Sequence, residues 1–412
     1  MANRDRGKTL VVVGGGAAGF FCAVNAAARN KALKVILLEK TAKLLSKVKI
    51  SGGGRCNVTH ACFSIGDMAK KYPRGEKFVK KTFHHFFTQD TIDWFAARGV
   101  QLKTEADGRM FPATDNAQTI IDCLLQEARS LGVEIRIQSG VQHIRKEGGQ
   151  FFLQLPQGQE LAADYVTIAC GGYPKADMFA WLEQLGHSIV PPVPSLFTFN
   201  IPRHPITTLM GISVKEAQVK IPGTRLKESG PVLITHWGLS GPAILRLSAW
   251  GARELHGRSW NFTVQVNWLP AFNEETLRAE FLLQRKLLAS RQVMHKNPFG
   301  LPARLWEFLA QQSGAGEAVR WAELPAKEQN RLIRNLCAYE LKVSGKTTYK
   351  EEFVTAGGIQ LSEVDPSTMM SRRLPGLYFA GEILDIDGVT GGFNFQNAWT
   401  TGYIAAAAIA AA

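Results

Sequence analysis

Gly14, Gly16 and Gly19 stand in a G-x-G-x-x-G pattern, Gly14-Gly15-Gly16-Ala17-Ala18-Gly19. It follows the apolar run Leu10 to Val13 and heads a helix-like stretch, Ala17 to Asn30. Strand, tight turn and helix are the setting in which this spacing holds a diphosphate. Gly14 permits the turn, Gly16 lets the backbone approach the phosphates, and Gly19 lets the helix pack closely on the strand. The free N–H groups and positive dipole end of the helix then face the negative charge, which brings Gly15, Ala17 and Ala18 into the same cradle. A second strand, Leu33 to Leu38, ends at Glu39, 20 residues beyond Gly19. A carboxylate there suits ribose hydroxyls and disfavours a 2′-phosphate, so the cradle reads as holding the adenosine half of FAD or NAD rather than NADP.

The other end of the chain separates those two. The apolar strand Leu377 to Ala380 runs into Gly381-Glu382, then an acidic loop through Asp385 and Asp387, then Gly391-Gly392-Phe393-Asn394 opening a helix from about Phe395 to the C-terminus. This resembles the second fingerprint of two-segment FAD proteins, where the glycine and the acid meet the pyrophosphate and ribityl chain. Asp is usual at the acid; this chain has Glu382. A helix starting at Gly392 to Asn394 would set positive dipole beside the flavin N1 and C2 carbonyl, where negative charge collects on reduction. The plainer reading is a glycine-rich loop that closes a sheet.

The elements between follow from patterning. A basic loop to Lys49 leads to Ser51-Gly52-Gly53-Gly54-Arg55-Cys56-Asn57. Helices are expected over Gly75 to Phe87, Gln89 to Arg98 and Ala117 to Ser130, and a strand over Val133 to Ile137. Short alternating pieces, Val141 to Lys146, Phe151 to Leu155 and Tyr165 to Ala169, read as an antiparallel meander that delivers a buried strand ending at Cys170-Gly171-Gly172. Pro191, Pro192 and Pro194 then break the chain. Strands are expected at Thr198 to Ile201, Val214 to Ile221, Pro231 to Thr235 and Phe262 to Asn267, and helices at Pro242 to Leu255, Glu274 to Ser290, Pro302 to Gln311 and Ala326 to Ala338. Residues 191 to about 350 thus form an insertion, part β and part helical, and the parent fold resumes at Phe353. Lying between the two cofactor halves, it would sit over the flavin face as a substrate domain. A second G-x-G-x-x-G after a strand is missing, so a nicotinamide donor, NADH or NADPH, would visit the flavin transiently.

Composition bounds the class. The 412 residues allow two or three domains, and 45% apolar with 20% charged residues describes an ordinary globular protein rather than a disordered one. Apolar runs fall short of the ~18 residues of a membrane span. The charged start, Met1 to Lys8, does not read as a signal peptide. Cys22, Cys56, Cys62, Cys123, Cys170 and Cys337 lack C-x-x-C or paired spacing. That favours a reducing cytoplasm and argues against a redox disulfide or a metal site. The net charge of +13 divides as +8 over residues 1–190, +10 over 191–350 and −5 over 351–412. Such a balance favours a polyanionic partner such as RNA, or an anionic substrate; a solvated cationic surface is the plain alternative.

Three motifs, Ile50-Ser51-Gly52-Gly53-Gly54-Arg55-Cys56-Asn57, Val354-Thr355-Ala356-Gly357-Gly358-Ile359, and Gly381-Glu382 with Thr390-Gly391-Gly392-Phe393-Asn394, are similar to those of the bacterial NAD(P)/FAD-dependent oxidoreductases of the BaiN/RdsA type, aminoacetone-oxidase-like FAD-binding flavoproteins. The resemblance spans nearly the whole chain. It implies an α/β, Rossmann-like two-segment FAD-binding domain of the glutathione-reductase kind, interrupted by a β-barrel-like domain carrying a small helical domain. The boundaries expected are 1–190 plus 351–412, 191–270 plus 339–350, and 271–338. It also implies reduction of a conjugated carbon–carbon double bond, in a steroid-like enone or in uridine of ribosomal RNA. The chain departs from the family at Phe393, often Tyr, and after Gly172, where a glycine-rich run is missing.

Besides the residues above, Lys40, Val141, Ala169 and Gly171 are expected at the cofactor. In Ser51 to Asn57 the three glycines allow positive φ and close approach to a flat ligand or its phosphates, and Ser51 and Arg55 can add donors; a structural turn competes. A Cys56 thiol, mostly protonated at neutral pH, could give a proton to the α-carbon while flavin N5 delivers hydride to the β-carbon, against which stands an inert buried cysteine. Lys77, Lys80, Lys81, His84 and His85 share a helix face opposite Phe78, Val79, Phe83, Phe86 and Phe87, after Lys70-Lys71-Tyr72-Pro73-Arg74. The face could hold RNA, with the aromatics more simply buried. Arg285, Lys286, Arg291 and Lys296 read the same way, and His60 as a hydrogen-bonded loop histidine near the flavin. RNA uridine is the favoured substrate, a small-molecule enone the alternative, and an RNA-binding factor with structural FAD a third class.

Overall fold

The structure is a computed structural model that describes residues 7–347 and 354–412. The expected resumption of the parent fold at Phe353 lies outside those residues. Two compact units emerge, Met1–Ser195 with Tyr349–Ala412, and Leu196–Thr348.

In the first unit, β1 (Thr9–Val13) leads to helix α1 (Ala17–Arg29), β2 (Lys34–Leu38), helix α2 (Ser46–Gly54) and helix α3 (Glu76–Thr82). Further on come β3 (Glu134–Arg136), β4 (Tyr165–Ile168), β5 (Leu377–Phe379) and helix α4 (Phe393–Ala411). The strands form one parallel sheet in the order β5, β4, β1, β2, β3. Its central strands read as unbroken Val, Leu and Ile because a parallel sheet is buried on both faces. Helices α1 and α4 lie against each other through small residues. A Cβ on Gly402 would sit 2.7 Å from the Ala18 carbonyl oxygen and 3.2 Å from the Cys22 nitrogen.

Four local expectations change. The stretch expected as loop to Lys49 becomes helical at Ser46, where the Lys49 N–H bonds the Leu45 carbonyl at 3.0 Å and Val48 is buried. The meander gains a third strand at Glu160–Ala163, behind His143–Glu147 and Gln150–Gln154, and β4, the strand it was expected to deliver, joins the parallel sheet. The proline-rich segment is a strand, Ile189–Ser195, paired antiparallel with Val354–Ile359 and bulged between Val190 and Val193. A two-stranded ribbon with a bulge tolerates residues that cannot donate. Gly357 and Gly358 make the close fit possible, since a Cβ would stand 2.6 Å from the Pro191 oxygen and 2.3 Å from the Ile383 oxygen respectively. The C-terminal helix starts at Phe393, two residues early.

The second unit is an antiparallel seven-stranded sheet that shares one continuous core with the helices Glu274–Leu287, Ala303–Ser313 and Ala326–Cys337. Trp306 and Trp321 stack at 6.1 Å within it. Arg285 is not on a solvated face: its guanidinium donates to the carbonyls of Leu324 and Ala322 and to Gln329.

Replacing Gly402 by Val forces side-chain atoms into the Ala18 backbone and is expected to cost about 1–3 kcal/mol, the usual range for overpacking. A lowered denaturant midpoint at unchanged slope checks this; a wild-type midpoint would mean that α1 and α4 do not meet there.

Candidate functional site

The carboxyl ends of the strands meet where β1 turns into α1. Gly14 donates to the Leu38 carbonyl at 2.8 Å, Ala169 to Val13 at 2.8 Å, and Ala380 to Ile168 at 3.0 Å, so three strand ends and the first glycine form one edge. Gly14 has φ +118°, and a Cβ there would lie 2.4 Å from the Ala169 oxygen; a Cβ on Gly19 would lie 1.9 Å from the Gly14 oxygen. Gly16 differs, with no protein atom within 4 Å of its Cβ position. It caps α1 without any side-chain bond. The first N–H groups of a helix lack intrahelical partners, so this end offers donors and positive dipole toward open space. The turn and the open helix head have the form that the spacing predicts.

Glu39 lies beneath the cradle. Its Oε2 accepts from the Gly15 N–H at 2.9 Å, and its Oε1 accepts from the Thr41 N–H at 2.8 Å and the Thr41 hydroxyl at 2.9 Å. A carboxylate has about four acceptor positions, which leaves capacity for a ribose hydroxyl. Alongside, Lys40 reaches over the Tyr173 ring at 5.6 Å, and its Cβ faces Gly140, next to Val141 in the extended link before the meander. The Tyr173 hydroxyl donates to Cys170 Sγ at 3.2 Å, and burial pushes the Cys170 thiol up to about 11. Lys40, Tyr173 and Cys170 thus form one connected group, while Gly171 faces Glu382.

The far segment folds onto the same edge. Gly381, at φ +76°, would press a Cβ to 2.8 Å from that of Ala18, and its N–H donates to Thr401 at 2.8 Å. Glu382 is oriented by Lys47 at 2.5 Å and by the Thr355 N–H at 2.9 Å. Asp387 is turned inward instead. It is fully buried, pairs with Arg74, and accepts from Ser195 at 2.7 Å. Burial acts to raise this carboxyl, and the Arg74 guanidinium and Ser195 hydroxyl oppose it. Its geometry is that of a buried brace for the loop.

Gly391 and Gly392 have φ +134° and +93°, and a Cβ on Gly392 would meet the Thr59 oxygen at 2.4 Å. With its amide oriented to satisfy its neighbours, Asn57 donates to Thr59 O at 3.1 Å and accepts from the Gly392 N–H at 2.9 Å. Asn394 clasps Gly388 through both amide atoms, at 2.8 and 3.0 Å. Phe393 is buried, stacked on His60 at 4.7 Å, and its carbonyl accepts from the Tyr72 hydroxyl at 2.6 Å. These residues shape the head of α4 rather than line a surface, and α4 too begins without a side-chain cap.

Between the heads of α1 and α4 arches Ser51 to Asn57. Gly52, Gly53 and Gly54 are exposed with φ +60°, +71° and +85°, and Gly53 and Gly54 have no atom within 4 Å of their Cβ positions. Ser51 donates to Val48 O at 3.1 Å. Arg55 pairs with Glu105 at 2.5 Å and lies 4.0 Å over the Phe111 ring, so its guanidinium is already engaged. Cys56 is enclosed, with φ +62°, and burial pushes its thiol up to about 12. The structure does not set that thiol at an open surface. His60 bonds the Gly391 carbonyl at 3.0 Å, and burial lowers its affinity for a proton.

The comparisons with known proteins fit this arrangement. The family described as HI0933-like protein Rossmann domain matches residues 8–408. The chain belongs to that family. This HI0933-like chain is 32% identical to an Escherichia coli protein named ribosomal RNA dihydrouridine synthase, over 98% of each chain. It is 28% identical to a Clostridium scindens 3-dehydro-bile acid delta(4,6)-reductase, over 97% of this chain and 98% of that one. Among solved structures, a Rhodococcus jostii 3-ketosteroid-delta4-(5alpha)-dehydrogenase shares the fold at 14% identity, with TM-score 0.53 over 100% of this chain and 98% of that one. The family is one of flavoprotein oxidoreductases, and the HI0933-like chain is an enzyme of that kind.

Sequence reasoning missed Lys47, Arg74, Tyr173 and Ser195 in this HI0933-like site. Arg74 was hidden in a basic run, and its partner Asp387 lies 313 positions away. Thr355 stood within a quoted motif but without a role. Among the described residues no His, Cys, Asp and Glu group could hold a metal, and no helix is long and apolar enough to cross a membrane.

The glycines make separable predictions. Gly16→Val meets only open space, so the unfolding free energy of the cofactor-free protein should fall by no more than about 1 kcal/mol, the cost of a poorer N-cap residue, while retention of added FAD falls more than tenfold. Gly19→Ala should destabilise the cofactor-free protein itself. Equal stability losses in both would show that Gly16 serves packing alone.

Proposed function

We propose that the chain holds FAD between the head of α1 and the head of α4 and reduces a conjugated carbon–carbon double bond, uridine in ribosomal RNA being the favoured substrate. The observation that carries the reading is the open, uncapped α1 head at Gly16, with Glu39 set beneath it and a second uncapped helix head on the same side of the sheet. The N–H groups of Gly15 to Gly19 would hold the diphosphate, Glu39 the ribose, Lys40, Val141, Ala169 and Gly171 the adenosine flank, and Gly381 with Glu382 the linking chain. When bound, FAD supplies hydride transfer, refilled by NADH or NADPH. The inserted residues are taken as the barrel-like and helical substrate domains, 191–270 with 339–350 and 271–338.

The RNA assignment is supported by the 32% identity to the Escherichia coli protein of that name and by the net charge of +13. The bile-acid reductase relative, at 28%, favours the second reading, a small-molecule enone. We expect anaerobic NADH or NADPH to bleach the flavin absorbance. The bleached protein should convert uridine to dihydrouridine in ribosomal RNA, detected by nucleoside mass spectrometry. Bleaching with turnover of a steroid enone alone would select the second reading. RNA binding without bleaching would make the flavin structural, and a colourless protein that refuses FAD would end both.

Cys56 is the proposed proton donor. Burial keeps its thiol protonated at neutral pH, and the glycine arch above it has to shift for the proton to reach a substrate. With FAD retained, Cys56→Ala should slow turnover at least about 100-fold, the lower range for a general acid. Unchanged turnover would make Cys56 a packing residue.

A further inference from the structure

Helix α3 exposes Lys77, Lys80 and Lys81, followed by exposed His84 and His85, all on one face; Phe78, Val79, Phe83 and Phe86 are buried on the other. The buried aromatics fix the rotation of the helix, so the cations must point outward. Among the described residues Lys70 is the cation of this stretch that has a surface carboxylate partner, Asp67 at 3.0 Å, and no ion pair forms at Lys77, Lys80 or Lys81. Like charges three and four apart on a helix repel one another. Lys80 and Lys81, in the last turn, gain something from the helix dipole; Lys77, in the first turn, opposes it. Exposed Glu76, four residues before Lys80, offsets one of these charges, and the face keeps a net positive charge that a polyanion would neutralise.

Its position links it to the site. The residues leading into α3 are bonded to the loop before α4. The Lys71 carbonyl accepts from the Val389 N–H at 2.9 Å, the Tyr72 hydroxyl donates to Phe393 at 2.6 Å, and Arg74 pairs with Asp387. A Cβ on Gly75 would lie 2.7 Å from Ile386. Beyond the other end of α3, the Thr88 hydroxyl bonds the Cys62 carbonyl at 2.9 Å, and the neighbouring Phe63 is 59% exposed, unusual for so large an apolar ring. The short helix Ile65–Ala69 after Phe63 packs on α3. An exposed ring on a segment bonded just past the end of a cationic helix offers the pairing that single-stranded nucleic acid uses, stacking bases and neutralising phosphates.

We propose that the exposed face of α3 is the docking track for the phosphate backbone of the substrate RNA, with Phe63 as a base-stacking residue, so that the strand is held by an element bonded to the head of α4. This deepens the RNA reading above and rests on it. The probes are a labelled single-stranded oligouridine and protein-free ribosomal RNA, with FAD-loaded full-length protein. The triple variant K77Q/K80Q/K81Q should keep its flavin absorbance and its bleaching by NAD(P)H, yet bind each RNA more than tenfold more weakly. Its plot of log affinity against log salt should flatten by about one for each phosphate that the variant leaves without a lysine. F63A should weaken binding about tenfold with the slope unchanged. The control K286Q/K296Q in the inserted unit should leave the slope as it is.

Failure to bind RNA at any salt by the wild type would defeat the RNA reading itself. Wild-type RNA binding and dihydrouridine formation with an unaltered triple variant would overturn the α3 assignment alone, as would a slope that drops only in the control. Wild-type binding to phosphatidylglycerol vesicles but not to RNA would assign the face to a membrane surface and overturn it too.

Discussion

Main chain meets main chain at glycine throughout this site, and the rest of the first unit is arranged around those meetings. Gly14 lies on Ala169, Gly19 on Gly14, Gly402 on Ala18 and Gly392 on Thr59, each where a Cβ would fall within 2.7 Å of a backbone oxygen. Such contacts cannot adjust through rotamers as side chains do. The sheet edge, the heads of α1 and α4 and the arch between them therefore form as one piece with the fold. The donors that this edge offers owe little to side-chain chemistry: they are peptide N–H groups set by the helix itself.

The α4 side is held differently. Asn57 and Asn394 each satisfy two backbone groups, Tyr72 caps the Phe393 carbonyl, and the Arg74–Asp387 pair with Ser195 ties the loop to the strand Ile189–Ser195. A buried ion pair is weak as a source of net stability, but it penalises any arrangement that separates its members by several kcal/mol. Here it fixes one register for a loop rich in glycine, which has little conformational preference of its own. Residues singled out for a ligand here hold the backbone around them in place.

The inserted unit contrasts with both. Its sheet and helices close around a single core with stacked tryptophans, and an arginine that reads as surface charge clamps two carbonyls inside it. Charge counted along the chain measures how a protein meets a polyanion, and geometry decides which cations remain free to do so. On α3 they do; at Arg74, Arg55 and Arg285 they are engaged internally.

Local pattern by itself determined the turn at Gly14 to Gly19, the central strands β1 and β2, α1, the acid at Glu39 and the amphipathic split of α3, because each depends on neighbours within about 25 residues and on periodicity or φ freedom. Only the tertiary structure decided that Pro191 to Pro194 run in a strand, that Lys49 lies in a helix, that Asp387 faces Arg74, and that Cys56 is enclosed. Those outcomes depend on partners up to hundreds of positions away, such as Gly357 beneath Pro191 and Asp387 beside Arg74. A carboxylate or a thiol carries no mark in the sequence of whether its surroundings will be solvent, ligand or a guanidinium.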